Sequence, residues 1–289
     1  MKRNIYGAIF LLVFVVGLSG LISSQFILNN NISKQINPNN KVIVFVHGIR
    51  PPTDCASRDV KADIGAETFG EIKKELITKT GIEENRFFYY NYSFTPSNLF
   101  LEDCRDTWAS LATHTEKLNS FISTIVLKNY PDADITFISH SLGGLLVANW
   151  LTATKSDYLK HLNSLITIDS PLRGASLAGI CDNLAVSFLA PVCNDLKLGS
   201  STIRQVEQLA PSITKIYNIR NMADAIVKPE EAYLDGAAGI LDLNVSSYGN
   251  FTEHNVGLAH PEALKFIVSI VNDARKFPSF IFGRESALG

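Results

Sequence analysis

The stretch Ala133–Trp150, ADITFISHSLGGLLVANW, changes character halfway along. Ile135-Thr136-Phe137-Ile138 reads as a β-strand, and the run from Leu145 onward is apolar and helix-forming. Between them lie Ser139-His140-Ser141-Leu142-Gly143-Gly144. Small residues stand two positions before and two after Ser141. That is the requirement of a sharp strand-to-helix turn, where a larger side chain at either place would collide with the neighbouring element. A serine held on such a turn stands at the carboxyl edge of a sheet. This reading makes Ser141 the candidate nucleophile and Ser139 a small packing residue, with His140 packing inside the turn.

Working outward, KVIVFVHGIR (41–50) is a continuous apolar run ended by Gly48, as expected of a strand buried on both faces of a parallel sheet. Ala66 to Thr80 reads as an amphipathic helix closed by Gly81. RFFYYNYS (86–93) is strand-like, and Asp106 to Leu127 has helical periodicity beginning near Asp106 or Thr107. LNSLITIDSP, SITKIYNIR and LDLNVSS supply further strands, and Pro261 to Lys276 a closing helix with proline in its first turn. Alternating strands and helices predict an α/β fold with a doubly wound, mostly parallel sheet. The segment 172–209 interrupts the alternation and is read as a small helical cap. Its apolar Leu184, Val186, Phe188, Leu189 and Val192 either face a substrate or pack on the core.

The 289-residue chain is 46% hydrophobic with a formal charge of −2, so a sizeable core is available and no basic stripe exists for nucleic acid. Met1-Lys2-Arg3 precedes Ile5–Ile22, which carries no charge. Residues 1–24 are thus a signal anchor or a signal peptide, with 25–40 a polar linker, 41–277 the folded domain and 278–289 a tail. Either form of the N-terminus exports the domain, placing it outside the cytoplasm. Cys55, Cys104, Cys181 and Cys193 contain no CxxC pair; in an oxidising compartment Cys55–Cys104 and Cys181–Cys193 are the expected disulfides, with free buried thiols the alternative. No acidic cluster has metal-ligand spacing, and no cofactor is expected.

A serine hydroxyl needs a base, and the base a carboxylate to orient it. Downstream of Ser141 the histidines are His161, His254 and His260. His161 lies at the wrong sheet edge. His260 directly precedes Pro261, which suits helix entry. His254, in a loop between the last strand and the final helix, is preferred. For the acid, Asp224 just beyond the SITKIYNIR strand is preferred over Asp169, which ends the preceding strand, and over Asp235 and Asp242. A tetrahedral oxyanion needs donors. The backbone N–H of Leu142 opens the helix after the nucleophile, and that of Ile49 (with Arg50 the second choice) lies in the loop after the first strand. His47 is read as a hydrogen-bonding support for that loop.

With these residues placed, the chain from Lys41 to about Phe277 resembles the α/β-hydrolase family, in particular its lipase-like members. VIVFVHGI is similar to the family's first core strand and oxyanion loop, and ISHSLGGLLV to its nucleophile elbow, with Ser139 in place of the usual glycine. ITIDSPLRGAS is similar to the strand entering the cap, NMADAIVKPEEAYL to the acid loop, and EHNVGLAHPEALKFIVSIV to the histidine loop and closing helix. The resemblance implies a carboxylic-ester hydrolase, a lipase or esterase, working through an acyl-enzyme on Ser141 with His254 and Asp224. The same triad also serves acyltransferases and thioesterases, and the fold also serves non-catalytic binding proteins. The implied partners are a lipid or other acyl ester and, through the N-terminal stretch, a membrane.

Overall fold

The computed structural model describes residues 40–50, 60–62, 64–153, 156–176, 178, 190–209 and 215–272. The N-terminal apolar stretch, the linker to residue 39 and the C-terminal tail lie outside the described residues. Among the described residues no helix is long and apolar enough to cross a membrane. Strand β1 is Lys41–Val46, β2 Val60–Ala62, β3 Phe87–Tyr89, β4 Leu101–Asp103, β5 Asp134–His140, β6 Leu162–Ile168, β7 Ile216–Asn221 and β8 Gly239–Leu243. Six of them form one sheet in the order β3-β1-β5-β6-β7-β8, every neighbouring pair parallel. β2 and β4 pair as a separate antiparallel ribbon.

The apolar strands read from the sequence are buried on both faces for a visible reason. Along β1, Val42, Val44 and Val46 enter one core and Ile43 and Phe45 the other, following the two-residue alternation of a strand. The first core is closed by α2 (Leu111–Phe121) and α3 (Leu142–Ala153), which contribute Leu118, Phe121, Leu145 and Trp150. The second is covered by α1 (Ile64–Thr80) and by the closing helix Pro261–Asn272. Both faces of the sheet are therefore covered along its central strands β1, β5 and β6, as a parallel arrangement requires.

Several boundaries differ from the sequence expectation. The helix expected from Asp106 or Thr107 begins later. Cys104–Trp108 forms a 3-10 turn in which Asp103 accepts from the Arg105 N–H. Ser110 then caps α2 by accepting from the Thr113 N–H, satisfying one of the donors a helix start leaves unpaired. α2 runs on through a π-helical turn, Ile122–Val126. β3 stops at Tyr89, although the Tyr90 N–H still reaches the Phe45 carbonyl. The Asn91 side chain then accepts from the Ser93 N–H and turns the chain away.

Between β6 and β7 lie α4 (Val192–Leu196) and α5 (Ser201–Glu207). Val192, Ile203 and Val206 are buried in the first core. Val192 therefore packs on the domain and does not face a substrate, because the short helix it opens packs against α5 and the Cys104–Trp108 turn. Leu184, Val186, Phe188 and Leu189 lie outside the described residues. Cys104 and Cys193 are both disulfide-bonded; the expected partners Cys55 and Cys181 lie outside the described residues.

Candidate active site

The carboxyl ends of the parallel strands collect the candidate residues on one rim: Gly48 after β1, Ser141 after β5, Asp169 after β6, Asp224 after β7 and His254 after β8. The elbow shows why the sequence is written with small residues. Ser141 has φ 52°, a left-handed conformation costly for a residue with a Cβ. It is held there by its own N–H, which donates to the Ile168 carbonyl at 2.9 Å. A Cβ on Gly143 would stand 2.2 Å from the Val46 carbonyl oxygen, and one on Gly144 2.1 Å from Ser170 Oγ. Helix α3 thus lies against β1 and against the end of β6 at a distance only glycine allows. Ser139 is fully buried and its hydroxyl has no hydrogen-bond partner.

Three side chains form a continuous line. Ser141 Oγ lies 3.0 Å from His254 Nε2, and His254 Nδ1 donates to Asp224 Oδ2 at 2.7 Å. The second carboxylate oxygen of Asp224 accepts from the Ile226 N–H at 2.8 Å and the Val227 N–H at 3.2 Å. The carboxylate is therefore fixed by its own loop, and it fixes the imidazole so that Nε2 faces the serine. In this tautomer Nε2 is free to accept the hydroxyl proton.

The competing residues are engaged elsewhere. His161 Nδ1 meets the Ala133 carbonyl at 3.1 Å. His260 Nδ1 accepts from the Glu262 N–H, and its ring lies against Tyr248. Asp235 pairs with Arg173 and Asp242 with Arg220. Asp169, also at positive φ (45°), accepts from the Asn221 N–H at 2.6 Å through Oδ1. Burial, with the nearby Asp224 adding to it, raises its carboxyl well above the usual range.

At the oxyanion side, Leu142 is the first residue of α3. The Arg50 N–H is committed to Thr107 Oγ1 at 3.2 Å, while Ile49 beside it is partly exposed on the rim. Gly48 lies against the serine: a Cβ there would be 2.7 Å from Ser141 Cβ.

Two supporting residues escaped the sequence reading. His140 packs, as read, but its Nε2 also donates to the His254 carbonyl at 2.8 Å. Asn221 is fully buried. Its amide donates to the Val245 and Glu253 carbonyls and accepts from the Val245 N–H, while its backbone N–H holds Asp169. It ties the acid loop to the histidine loop. No local sequence signal marked it, since Asn218 and Arg220 make the same strand, IYNIRN, polar at other positions too. Among the described residues no group of His, Cys, Asp or Glu could hold a metal ion.

A doubly covered parallel sheet with a glycine-packed elbow at its carboxyl rim defines the α/β-hydrolase fold. The chain belongs to the family of the PGAP1-like alpha/beta domain, whose model matches residues 37–197, more than half its length. No curated protein sequence matches the chain. Among solved structures it is similar to phospholipase PlaB from Legionella pneumophila in complex with thio-NAD, at 14% identity and TM-score 0.58 over 82% of this chain and 59% of that one. It is also similar to a structure from LipS and LipT, two metagenome-derived lipolytic enzymes, at 12% identity and TM-score 0.53 over 81% and 94% of the two chains. A third is Aspergillus fumigatus lipase B, at 16% identity and TM-score 0.51 over 81% and 52%. At these identities the likeness is one of fold. The chain spans 59% of the length of PlaB.

Proposed function

We propose that this chain is a serine hydrolase of carboxylic esters, a lipase or lipase-like esterase. The observation that carries the reading is the unbroken contact from Ser141 Oγ through the His254 imidazole to Asp224. In this mechanism His254 Nε2 takes the Ser141 proton as Oγ attacks the ester carbonyl. The tetrahedral oxyanion accepts from the N–H groups of Ile49 and Leu142. His254 then gives the proton to the leaving alcohol, and water attacks the acyl-enzyme by the same route to release the acid. The Asp224 carboxylate stabilises the transient imidazolium. The lipolytic names among the fold's neighbours support an acyl-ester substrate. So do the exposed apolar side chains of Ile49, Met222 and Ile226, which stand on loops at the same rim. A site of action outside the cytoplasm, at a membrane, is supported by the basic-then-apolar N-terminus.

The test is hydrolysis of p-nitrophenyl acyl esters of graded chain length by the purified protein, together with labelling by a fluorophosphonate probe. Ser141→Ala should abolish labelling and lower kcat on the order of a thousandfold or more. A wild-type protein that neither hydrolyses these esters nor takes the probe would be a binding protein on this fold.

A further inference from the structure

The loop expected to supply an oxyanion donor is pinned on both sides of Ile49, and its deepest anchor comes from a distant acidic residue. His47 Nδ1 donates to the Gly48 carbonyl at 2.8 Å. His47 Nε2 lies 3.0 Å from Glu102 Oε2. Both side chains are buried, 3% and 4% exposed. The carbonyl of His47 accepts from Tyr92 OH at 2.8 Å, and the same Glu102 oxygen accepts from the Tyr92 N–H at 3.3 Å. Beyond Ile49, the Arg50 carbonyl accepts from Trp108 Nε1 at 2.8 Å.

The ring orientation follows from the partners. A carbonyl only accepts, so Nδ1 must carry a proton to hold Gly48. An imidazole left to itself in this pocket could place its proton on either nitrogen or rotate away. Glu102 on β4 removes that freedom by engaging Nε2, and the Nε2–Oε2 contact holds one further proton between the two groups. With the Gly48 carbonyl fixed, the plane of the Gly48–Ile49 peptide is fixed, and so is the direction of the Ile49 N–H. Gly48 is also the residue packed against Ser141 Cβ, so any rotation of this peptide is felt at the nucleophile. An acid committed this deeply to a loop histidine costs desolvation that a purely structural contact does not need.

We propose that Glu102 is a positioning residue for the oxyanion loop: acting through His47, it aims the Ile49 N–H at the charge that develops on the substrate. The proposal rests on the serine-hydrolase reading. Its mark is a loss confined to the charged tetrahedral state, because ground-state binding makes no use of that alignment.

The experiment compares Glu102→Leu and Glu102→Gln in ester hydrolysis and in affinity for an alkyl boronic acid, which forms a tetrahedral adduct on a serine. Glu102→Leu should lower kcat about tenfold to a hundredfold, with KM changing less than about threefold and boronate affinity falling by a similar factor to kcat. Glu102→Gln, whose amide N–H can donate to Nε2 while Nδ1–H stays on Gly48, should keep kcat within about threefold. Nitrogen-15 spectra of histidine-labelled wild-type protein should show His47 Nδ1 protonated, a readout that stands even where Glu102→Leu does not fold. Unchanged kcat and boronate affinity in folded Glu102→Leu, a loss carried wholly by KM, an equal loss in Glu102→Gln, or an unprotonated His47 Nδ1 would each overturn the proposal. A wild-type protein inert to esters and to fluorophosphonate would sink the hydrolase reading instead, and the His47 spectrum would still judge the clamp.

Discussion

His140 Nε2 donates to the carbonyl oxygen of His254 at 2.8 Å: the residue beside the candidate nucleophile anchors the backbone of the candidate base. The two rings lie 4.9 Å apart. Burial, with the neighbouring His254 adding to it, lowers His140 to about 3. It therefore remains a neutral donor and puts no second positive charge beside His254 when that ring is protonated. His140→Ala should leave the His254 carbonyl unpartnered and the ring less well aimed. We expect kcat to fall about tenfold or more and stability by about 1–3 kcal/mol. Steady-state kinetics with a denaturant titration checks both, and a variant with unaltered kcat would reduce His140 to packing.

Two glycines near Ser141 should fail differently. Gly143→Ala drives a Cβ into the backbone of β1, at 2.2 Å from the Val46 carbonyl oxygen. We expect a loss of about 3 kcal/mol or more, or no folded protein. Gly48→Ala instead meets the Ser141 side chain, so it should fold while losing most of its turnover. Thermal melts beside ester kinetics separate the two, and equal behaviour would contradict this packing.

Ser139 offers a stabilising change. Its buried hydroxyl lacks a partner, and an unpaired buried hydroxyl costs about 1–3 kcal/mol. Ser139→Ala removes the group and keeps the Cβ. A gain of about 1 kcal/mol in urea unfolding is expected, with kcat little changed; a loss of stability would mean that the hydroxyl is in fact paired.

Buried titrating groups make the stability of the fold depend on pH. Burial lowers His140 to about 3 and His114 to about 4, the latter helped by Lys117. Both stay neutral in the fold while the unfolded chain gains protons at 6.5, so stability falls as pH drops below 6.5. Asp169 acts in the opposite sense. Its folded carboxyl keeps a proton that the unfolded one loses near 3.8, so stability falls as pH rises until the folded group ionises. Asp169→Asn should remove this decline with rising pH, which for one proton is at most about 1.4 kcal/mol per pH unit. Melting temperatures between about pH 6 and 9 measure it, and an identical decline in the variant would show Asp169 ionised in the fold.

Much of this was legible in the linear sequence because the determining forces are local. Strand β1 alternates between two cores, so every residue from Val42 to Val46 had to be apolar. The elbow brings helix and strand within a glycine's reach, so its small residues were written in fixed positions. Pro261 opens the closing helix, where its missing N–H costs nothing. Other features had no local signature. The start of α2 moved to Ser110 because the turn at Cys104–Trp108 uses Asp103 as a competing cap. For Val192 the sequence left a substrate face and core packing both open, and only the docking of its short helix decides for the core.

The sequence by itself determined a parallel α/β sheet and the one serine that such a turn can present, since both follow from periodicity and steric need within a few residues. Only the tertiary structure decided that His254 and Asp224 meet that serine while His260, Asp235 and Asp242 do not. It alone disclosed Asn221, His140 and Glu102 as the supports. Their partners lie far away in the chain, and a hydrogen bond between distant residues leaves no pattern in the sequence until folding brings its two ends to the same rim.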